Sequence, residues 1–375
     1  VPAPGTASLS SGFDIALGST VSRKTISTAG SGGVRMSIRD VALHADVSPS
    51  TASRVLSGSA HPVRNETRLR VLEAAAELDF HPNMIARGLV TARTHVLGVV
   101  VHDVSDPYFG EVVRGLEDAA NIRDHRVFVC SSDRDPDREL AYVRALIGHR
   151  VDAIVFAGGA IEDRSYRTQL KRLLEGFRSL GGVVATVAPH TLRTPSVTID
   201  NVAGARDMTA HLLDRGHRRI AFVAGPEHLR TSHLRLAGYR EALADAGVTS
   251  DPDLVEPGHF TTEGGAKATA LLLARSPDLT AIFAANDVMA FGVLHELADE
   301  GLRVPDDVSV AGFDDISMAR FTHPSLTTVR VPMGELGQQG AHIVFEALAG
   351  RRVRSRRLPT EIVARASTRR IGSST

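Results

Sequence analysis

The chain has one cysteine, no tryptophan and only three lysines (Lys24, Lys171, Lys267) among 375 residues. A lone Cys130 excludes an internal disulfide and a cysteine-rich zinc site, and suits a reducing cytoplasm. No apolar run approaches the ~18 residues that span a membrane. Formal net charge is zero, so composition by itself signals neither nucleic acid nor a membrane surface. Catalytic signatures are missing as well. No Gly-x-Gly-x-x-Gly follows a strand, no Walker loop or Gly-x-Ser-x-Gly elbow occurs, and His295-Glu-Leu-Ala-Asp299 lacks the second histidine of a zinc-protease helix. The expectation is therefore a non-enzymatic chain that needs no cofactor and no metal. Residues 1–35 are rich in Ser, Gly and Thr, and Asp14 interrupts the short apolar run Phe13–Leu17, so no signal peptide is expected. They read as a disordered extension, with Met36 as the expected physiological start.

What is present begins at Ser37. Val41, Ala42 and Ala45 form one apolar stripe and Ala52, Val55 and Leu56 a second, with Val47 plugging the turn between two short helices. Ser48 is a good N-cap and Pro49 fits the first helical position, where its missing N–H costs nothing. Ser50, Ser53 and Arg54 are left on the outer face, small hydroxyls and one guanidinium of the kind that reads a major groove. From Arg35 to Arg93 there are eight Arg against six Asp and Glu, so the motif and not the charge carries the DNA reading. Arg68–Leu78 reads as a third helix, closing the small core with Leu69, Leu72, Ala75, Ala76 and Leu78. Beyond Pro82, Asn83 can cap barely two helical turns containing Gly88, too short and too glycine-weakened to persist alone.

From His95 onward short β-branched runs alternate with helical patterns. Val96–Val101, Val127–Cys130, Ala153–Phe156, Val183–Val187, Ile220–Val223, Ala281–Ala284 and Val308–Ala311 read as strands. Helices are expected at Glu111–Arg123, Arg138–His149, Val202–Arg215, Arg235–Ala246, Thr262–Arg275 and Val288–Glu300. Such alternation means parallel sheets covered on both faces, and its extent asks for two doubly wound lobes facing a cleft. Ligands bind beyond the carboxyl ends of such strands. Asp103–Phe109, with the aromatics Tyr108 and Phe109, Gly225–Arg235, Asn286-Asp287 and Phe313-Asp314-Asp315 fall there. An Arg with acceptor carboxylates beside aromatic faces suits a sugar. The run Arg351–Arg357 reads as a solvated loop.

Asp40-Val41-Ala42, Ala45-x-Val47-Ser48, Thr51-x-Ser53-Arg54-Val55-Leu56, Thr67-Arg68 and Pro82-Asn83 closely resemble the headpiece of the lac repressor (LacI/GalR) family of bacterial transcription regulators. The likeness runs in register for some 330 residues. It implies an N-terminal all-α helix-turn-helix headpiece (36–80), a hinge helix and linker (81–94), a two-lobed periplasmic-binding-protein-like effector and dimerisation domain (95–368) and a tail (369–375). By resemblance Ser48, Pro49, Ser50, Thr51, Ser53, Arg54 and Asn83 contact DNA, while Leu89 wedges into the minor groove from a hinge helix folded against its dimer mate. Tyr108, Phe109, Asp200, Thr231, Arg235, Phe260, Asn286 and Asp314 are the implied effector residues, Arg235 gripping ligand oxygens. The implied partners are pseudo-palindromic operator duplex, a small effector, most simply a sugar, and a second copy of the chain. The implied function is a repressor in the cytoplasm, with no membrane involvement; a sugar-binding receptor of the periplasmic-binding-protein type is the alternative. Three positions depart from the pattern. Arg64 replaces the Ser that usually caps the third helix, His61-Pro62 lengthens the loop before it, and Ala157 stands where the lac repressor has a sugar-binding asparagine. Leu358–Val363 resembles the family's closing strand.

Overall fold

A computed structural model describes residues 36–57, 61–80 and 93–372, which fall into two units dividing between Pro82 and Asn83. The hinge-helix residues Asn83, Gly88 and Leu89 lie outside the described residues.

The first unit holds α1 (Ile38–His44), α2 (Pro49–Leu56) and α3 (Asn65–Glu77). Ser37 and Asp40 form a reciprocal capping box that starts α1, and Ser48 accepts the Thr51 N–H to start α2 with Pro49 in its first turn. At α3 the substitution of Arg64 has its expected effect, because no side chain caps that helix. The core comprises Val41, Ala42, Ala45, Ala52, Val55, Val71 and Ala74. The inner face of α3 differs from the expectation. Ala75 and Leu78 are half-buried as expected, but Ala76 is exposed and Leu69 and Leu72 are 58% and 47% exposed. A core this small, facing alanines and valines, accommodates Val71 and Ala74 and turns the two leucines outward.

The second unit contains two main sheets. The first lobe has the parallel order β2-β1-β3-β4, from β1 (Val96–Val101), β2 (Arg126–Ser131), β3 (Ala153–Phe156) and β4 (Val183–Thr186). The second has β6 (Ile220–Ala224), β7 (Val255–Pro257), β8 (Ala281–Ala284), β9 (Ser309–Asp314), β10 (Thr327–Arg330) and β12 (Glu361–Val363). Its order is β12-β10-β9-β8-β6-β7, with β12 alone antiparallel. Between the lobes β5 (Val197–Ile199) pairs in parallel with β11 (Arg356–Leu358). The expected single closing strand over Leu358–Val363 is thus two strands in different sheets, because Pro359 offers no N–H to continue a ladder.

Helices cover both faces: α4 (Pro107–Asn121), α5 (Pro136–Gly148), α6 (Arg164–Ser179), α7 (Asn201–Asp214), α8 (Arg230–Asp245), α9 (Thr262–Arg275), α10 (Asp287–Asp299) and α11 (Met333–Leu348). α11 follows β10 of the second lobe in sequence yet packs on α4 of the first. The chain therefore returns to its first lobe, which the sequence reading did not include. Arg369 and Ile371, set apart above as tail, donate backbone hydrogen bonds to Ser309 Oγ and the Arg215 carbonyl.

α4 and α11 approach closely enough that a Cβ on Gly337 would lie 2.0 Å from the Val112 carbonyl oxygen. Only a backbone shift could admit it, so Gly337→Ala is expected to destabilise by about 1–3 kcal/mol. A urea midpoint equal to the wild type's would contradict this packing.

Candidate functional site

In the first unit α2 turns Ala52 and Val55 inward and leaves Ser48, Pro49, Ser50 and Arg54 exposed, with Thr51 and Ser53 half-exposed. Ser50 and Arg54, four residues apart, share one face. Ser48 Oγ lies 2.8 Å from both Ser50 Oγ and Thr51 Oγ1, which fixes a cluster of three hydroxyls at the N-terminus of the helix. Arg54 has no ion-pair partner among the described residues. The exposed face of α2 thus carries hydroxyls and one guanidinium.

The second unit has a cleft between its lobes, at the carboxyl ends of the strands, with about 600 Å³ of space that is partly open to solvent. Seven of the eight expected effector residues line it: Tyr108, Phe109, Thr231, Arg235, Phe260, Asn286 and Asp314. Asp200 does not. Its carboxylate is occupied twice, accepting the Ala203 N–H as N-cap of α7 and pairing with Arg357 at 2.8 Å. The next residue, Asn201, lines the cavity instead.

Arg235 organises the floor. It lies one turn into α8, which starts at Arg230 and not at Arg235 as expected, and so its side chain points inward from a fixed helix. Nε donates to Asn201 Oδ1 at 3.0 Å, Nη1 to the Ala285 carbonyl and Nη2 to Asp314 Oδ1 at 2.9 Å. Its guanidinium carbon sits 3.7 Å from the Phe313 ring centroid. Three of its five N–H groups are thereby used, leaving two for a ligand.

Asp314 and Arg235 are each 4% exposed. Burial raises the Asp314 carboxyl to about 7, against the opposing pull of Arg235, and Asp106 across the cavity adds to the rise. Asp314 and Asp315 have φ of 119° and 57°, strained for non-glycine residues. They are held from behind by Asp287, whose Oδ2 accepts the Ile316 N–H at 2.9 Å while Oδ1 accepts the Thr328 hydroxyl. Asp315 is fixed on the far side by Arg330 and Arg365 at 2.7 and 2.6 Å. A strained turn clamped from two sides presents one carboxylate to the cavity.

The first lobe supplies the opposite wall. Asp106 caps α4 through the Tyr108 N–H at 3.0 Å, and burial raises its carboxyl. Tyr108 and Phe109 meet edge to face at 5.1 Å, and Phe109 meets His102 at 5.9 Å. Burial and the nearby Arg134 lower the His102 imidazole to about 3, so it stays neutral. Arg134 reaches the cavity from two successive positive-φ residues, Asp133 and Arg134, and stands 3.6 Å from Asp103. Sequence reasoning missed His102, Asp106, Arg134 and Asn201. Asp106 carried a usable signal as the N-cap preceding Pro107; Arg134 carried none, because its loop conformation has no pattern in the residue types.

Two family models match. That for bacterial regulatory proteins of the lacI family covers residues 37–83, and that for a periplasmic binding protein-like domain covers 209–368. Catabolite control protein A of Priestia megaterium is 34% identical over 90% of this chain and 100% of its own. The transcriptional repressor CytR of Escherichia coli is 34% identical over 88% of this chain and 96% of its own. The lac repressor dimer bound to operator and the anti-inducer ONPF superposes with a TM-score of 0.76 at 26% identity, covering 89% of this chain and 99% of that one. The CelR–cellobiose complex does so with a TM-score of 0.63 at 32% identity, covering 89% and 100%. Fold and headpiece define a DNA-binding transcription regulator with an effector-binding core. The chain belongs to the lacI family of bacterial regulatory proteins.

Replacing Arg235 by Leu strands a buried carboxylate, and about 3 kcal/mol of stability should be lost. Adding Asp314→Asn should restore part of it. Strictly additive losses in urea unfolding would contradict the coupling.

Proposed function

We propose that this protein represses transcription as a homodimer on a pseudo-palindromic operator and responds to an uncharged, hydroxyl-rich effector, a sugar, held between its lobes. The observation that carries the effector class is the balance of charge in the cavity. Its lining carries two guanidiniums, Arg134 and Arg235, against two carboxylates, Asp106 and Asp314. A net charge on the ligand would have no counterpart. Hydroxyls would, since the carboxylates accept and the spare guanidinium N–H groups donate, while Tyr108, Phe109 and Phe260 offer faces for a ring. Solved relatives carry cellobiose and ribose, which supports the sugar class. Asp106 and Asp314 belong to opposite lobes, and the charge of Asp106 helps to raise the Asp314 carboxyl. A polyol donating to both would relieve that repulsion and hold the lobes together.

On DNA, Ser50, Ser53 and Arg54 are the proposed base and phosphate contacts, with Ser48, Pro49 and Thr51 setting the helix end against the backbone. Asn83 and Leu89 are proposed for the hinge and its minor-groove wedge. The alternative of an exported sugar receptor leaves a helix-turn-helix headpiece without a use. Among the described residues no helix is long and apolar enough to cross a membrane.

A thermal-shift series over sugars and nucleosides tests the effector class, since a ligand at 100 times its Kd adds about 2.7 kcal/mol. For the sugar that binds, affinity should fall as pH drops through 7. The ionised Asp314 is the acceptor, and below its value of about 7 the protonated form predominates. The loss should approach tenfold per unit, roughly 1.4 kcal/mol. A flat profile from pH 8 to about 5.5 would remove Asp314 from the ligand. In the headpiece, Arg54→Ala should weaken operator binding by about 1–3 kcal/mol. Unchanged affinity in a mobility-shift titration would remove α2 as the reading helix.

A further inference from the structure

We infer that Glu139, a buried carboxylate outside the cleft, is the positioning residue for Arg134: given the reading of the cleft as a sugar site, it fastens, through Ser132 and together with Tyr166, the turn that delivers this guanidinium to an effector oxygen. Arg134 lines the cleft with a side chain only 13% exposed, 3.6 Å from Asp103. Its Nε is nonetheless buried with no hydrogen-bond partner among the described residues. Buried donors are normally satisfied, so an oxygen of the effector is the acceptor that this N–H fits. The charge of Arg134 also bears on the first-lobe wall, adding to the fall of His102 and opposing the rise of Asp106. Where this one side chain stands therefore matters to the whole wall.

The turn that carries it, between β2 and α5, is unfavourable in isolation. Asp133 and Arg134 are consecutive residues with φ of 58° and 60°, a region that a side chain tolerates only where the surroundings over-determine it. Ser132, just before them, is the point of attachment. Its N–H donates to the Val101 carbonyl at 2.9 Å, and its own carbonyl accepts the Asp135 N–H at 3.0 Å. Its hydroxyl lies 3.2 Å from both the Val101 carbonyl and Glu139 Oε2. Glu139 Oε1 accepts the Tyr166 hydroxyl, and Tyr166 is itself fixed in the first turn of α6 by donating its N–H to Asp163 at 2.6 Å. One carboxylate thus ties the residue after β2 to the starts of α5 and α6.

Packing does not account for a carboxylate here. Glu139, Ser132 and Tyr166 are 3%, 0% and 2% exposed, and Tyr166 belongs to the same apolar cluster as Leu140, Val143 and Leu170. Burial raises the Glu139 carboxyl against the two hydrogen bonds it accepts. An apolar pair would join α5 to α6 at less cost. What an apolar side chain cannot do is accept the Ser132 hydroxyl.

The test uses Glu139→Leu/Tyr166→Phe, which removes the acceptor together with the donor it would strand, beside Ser132→Ala and the conservative Glu139→Gln, whose amide can still bond both hydroxyls. The first readout is hydrogen exchange of the free full-length chain, which needs no ligand. In the double variant and in Ser132→Ala the amides of residues 132–135 should exchange about tenfold faster, the consequence of losing roughly one net hydrogen bond, while Glu139→Gln stays near the wild type. Unchanged exchange in the turn overturns the inference, and so does faster exchange confined to α5 and α6, the result expected if Glu139 only joins those helices. The second readout is calorimetry with cellobiose and ribose, the sugars bound by solved relatives. For whichever binds, the double variant and Arg134→Met should each weaken affinity by about 10- to 100-fold, and combining them should add nothing further. Additive losses overturn the positioning role. A chain that binds neither sugar counts against the sugar reading alone, and the exchange result still decides whether Glu139 holds the turn.

Discussion

The buried ion pair between Arg235 and Asp314 is the constraint on which the effector unit depends. Removing two charges from water costs several kcal/mol per ion, and their attraction offsets this only with good geometry and further hydrogen bonds. The fold supplies both. α8 fixes the guanidinium, Asn201 and the Ala285 carbonyl take its other edges, and Phe313 covers its face. The carboxylate is delivered by a strained turn that Asp287 secures from behind. A floor assembled at such cost keeps unused donors beside a cavity, as the proposed effector site requires.

The same pair connects to the line along which the lobes meet. Asn201, which bonds Arg235, follows Asp200, whose carboxylate pairs with Arg357 on β11. β11 and β5 form the ribbon between the lobes, and Asp315, next to Asp314, is held by Arg330 and Arg365 at the point where the chain returns to the first lobe. Arg235 and Asp314 are thus each connected, within two residues, to the ion pairs at the β5–β11 ribbon and at the end of β10. Such contiguity is a physical route for coupling, of the 1–3 kcal/mol that allosteric sites typically exchange. β1, whose first residues carry the chain toward the headpiece, lies in the lobe on the other side of that line.

Much of this was legible in the residues. Strand ends of parallel sheets are where ligands bind, so the segments that carry Arg235, Asn286 and Asp314 could be placed at a cleft from periodicity, while the family resemblance singled out Arg235 and Asp314 within them, and Ser48-Pro49 announced the start of α2. The failures have separate causes. Asp200 was expected in the cavity by resemblance to the family, but its side chain has a local use as a helix cap. Leu69 and Leu72 were expected in the headpiece core on hydrophobicity, which says nothing of how little volume that core holds. β11 and β12 looked like one strand because their ladders involve partners far apart in sequence. Helix α6 was overlooked although Tyr166, Leu170, Leu174 and Phe177 trace a buried stripe through a mostly polar segment. Arg134 depends on two consecutive positive-φ residues that no composition advertises.

In the proposed function, one ligand in the cavity and one duplex on the headpiece compete or cooperate through the fold of a single chain. Thermodynamic linkage requires that each change the other's affinity by the same factor. The direct measurement is the sugar's Kd for the free protein and for the operator complex, set beside the operator's Kd with and without saturating sugar. The account predicts two equal ratios, each between about 5 and 150, and both collapsing toward one in Asp314→Asn. Ratios of one in the wild type, with sugar and operator both bound, would contradict it.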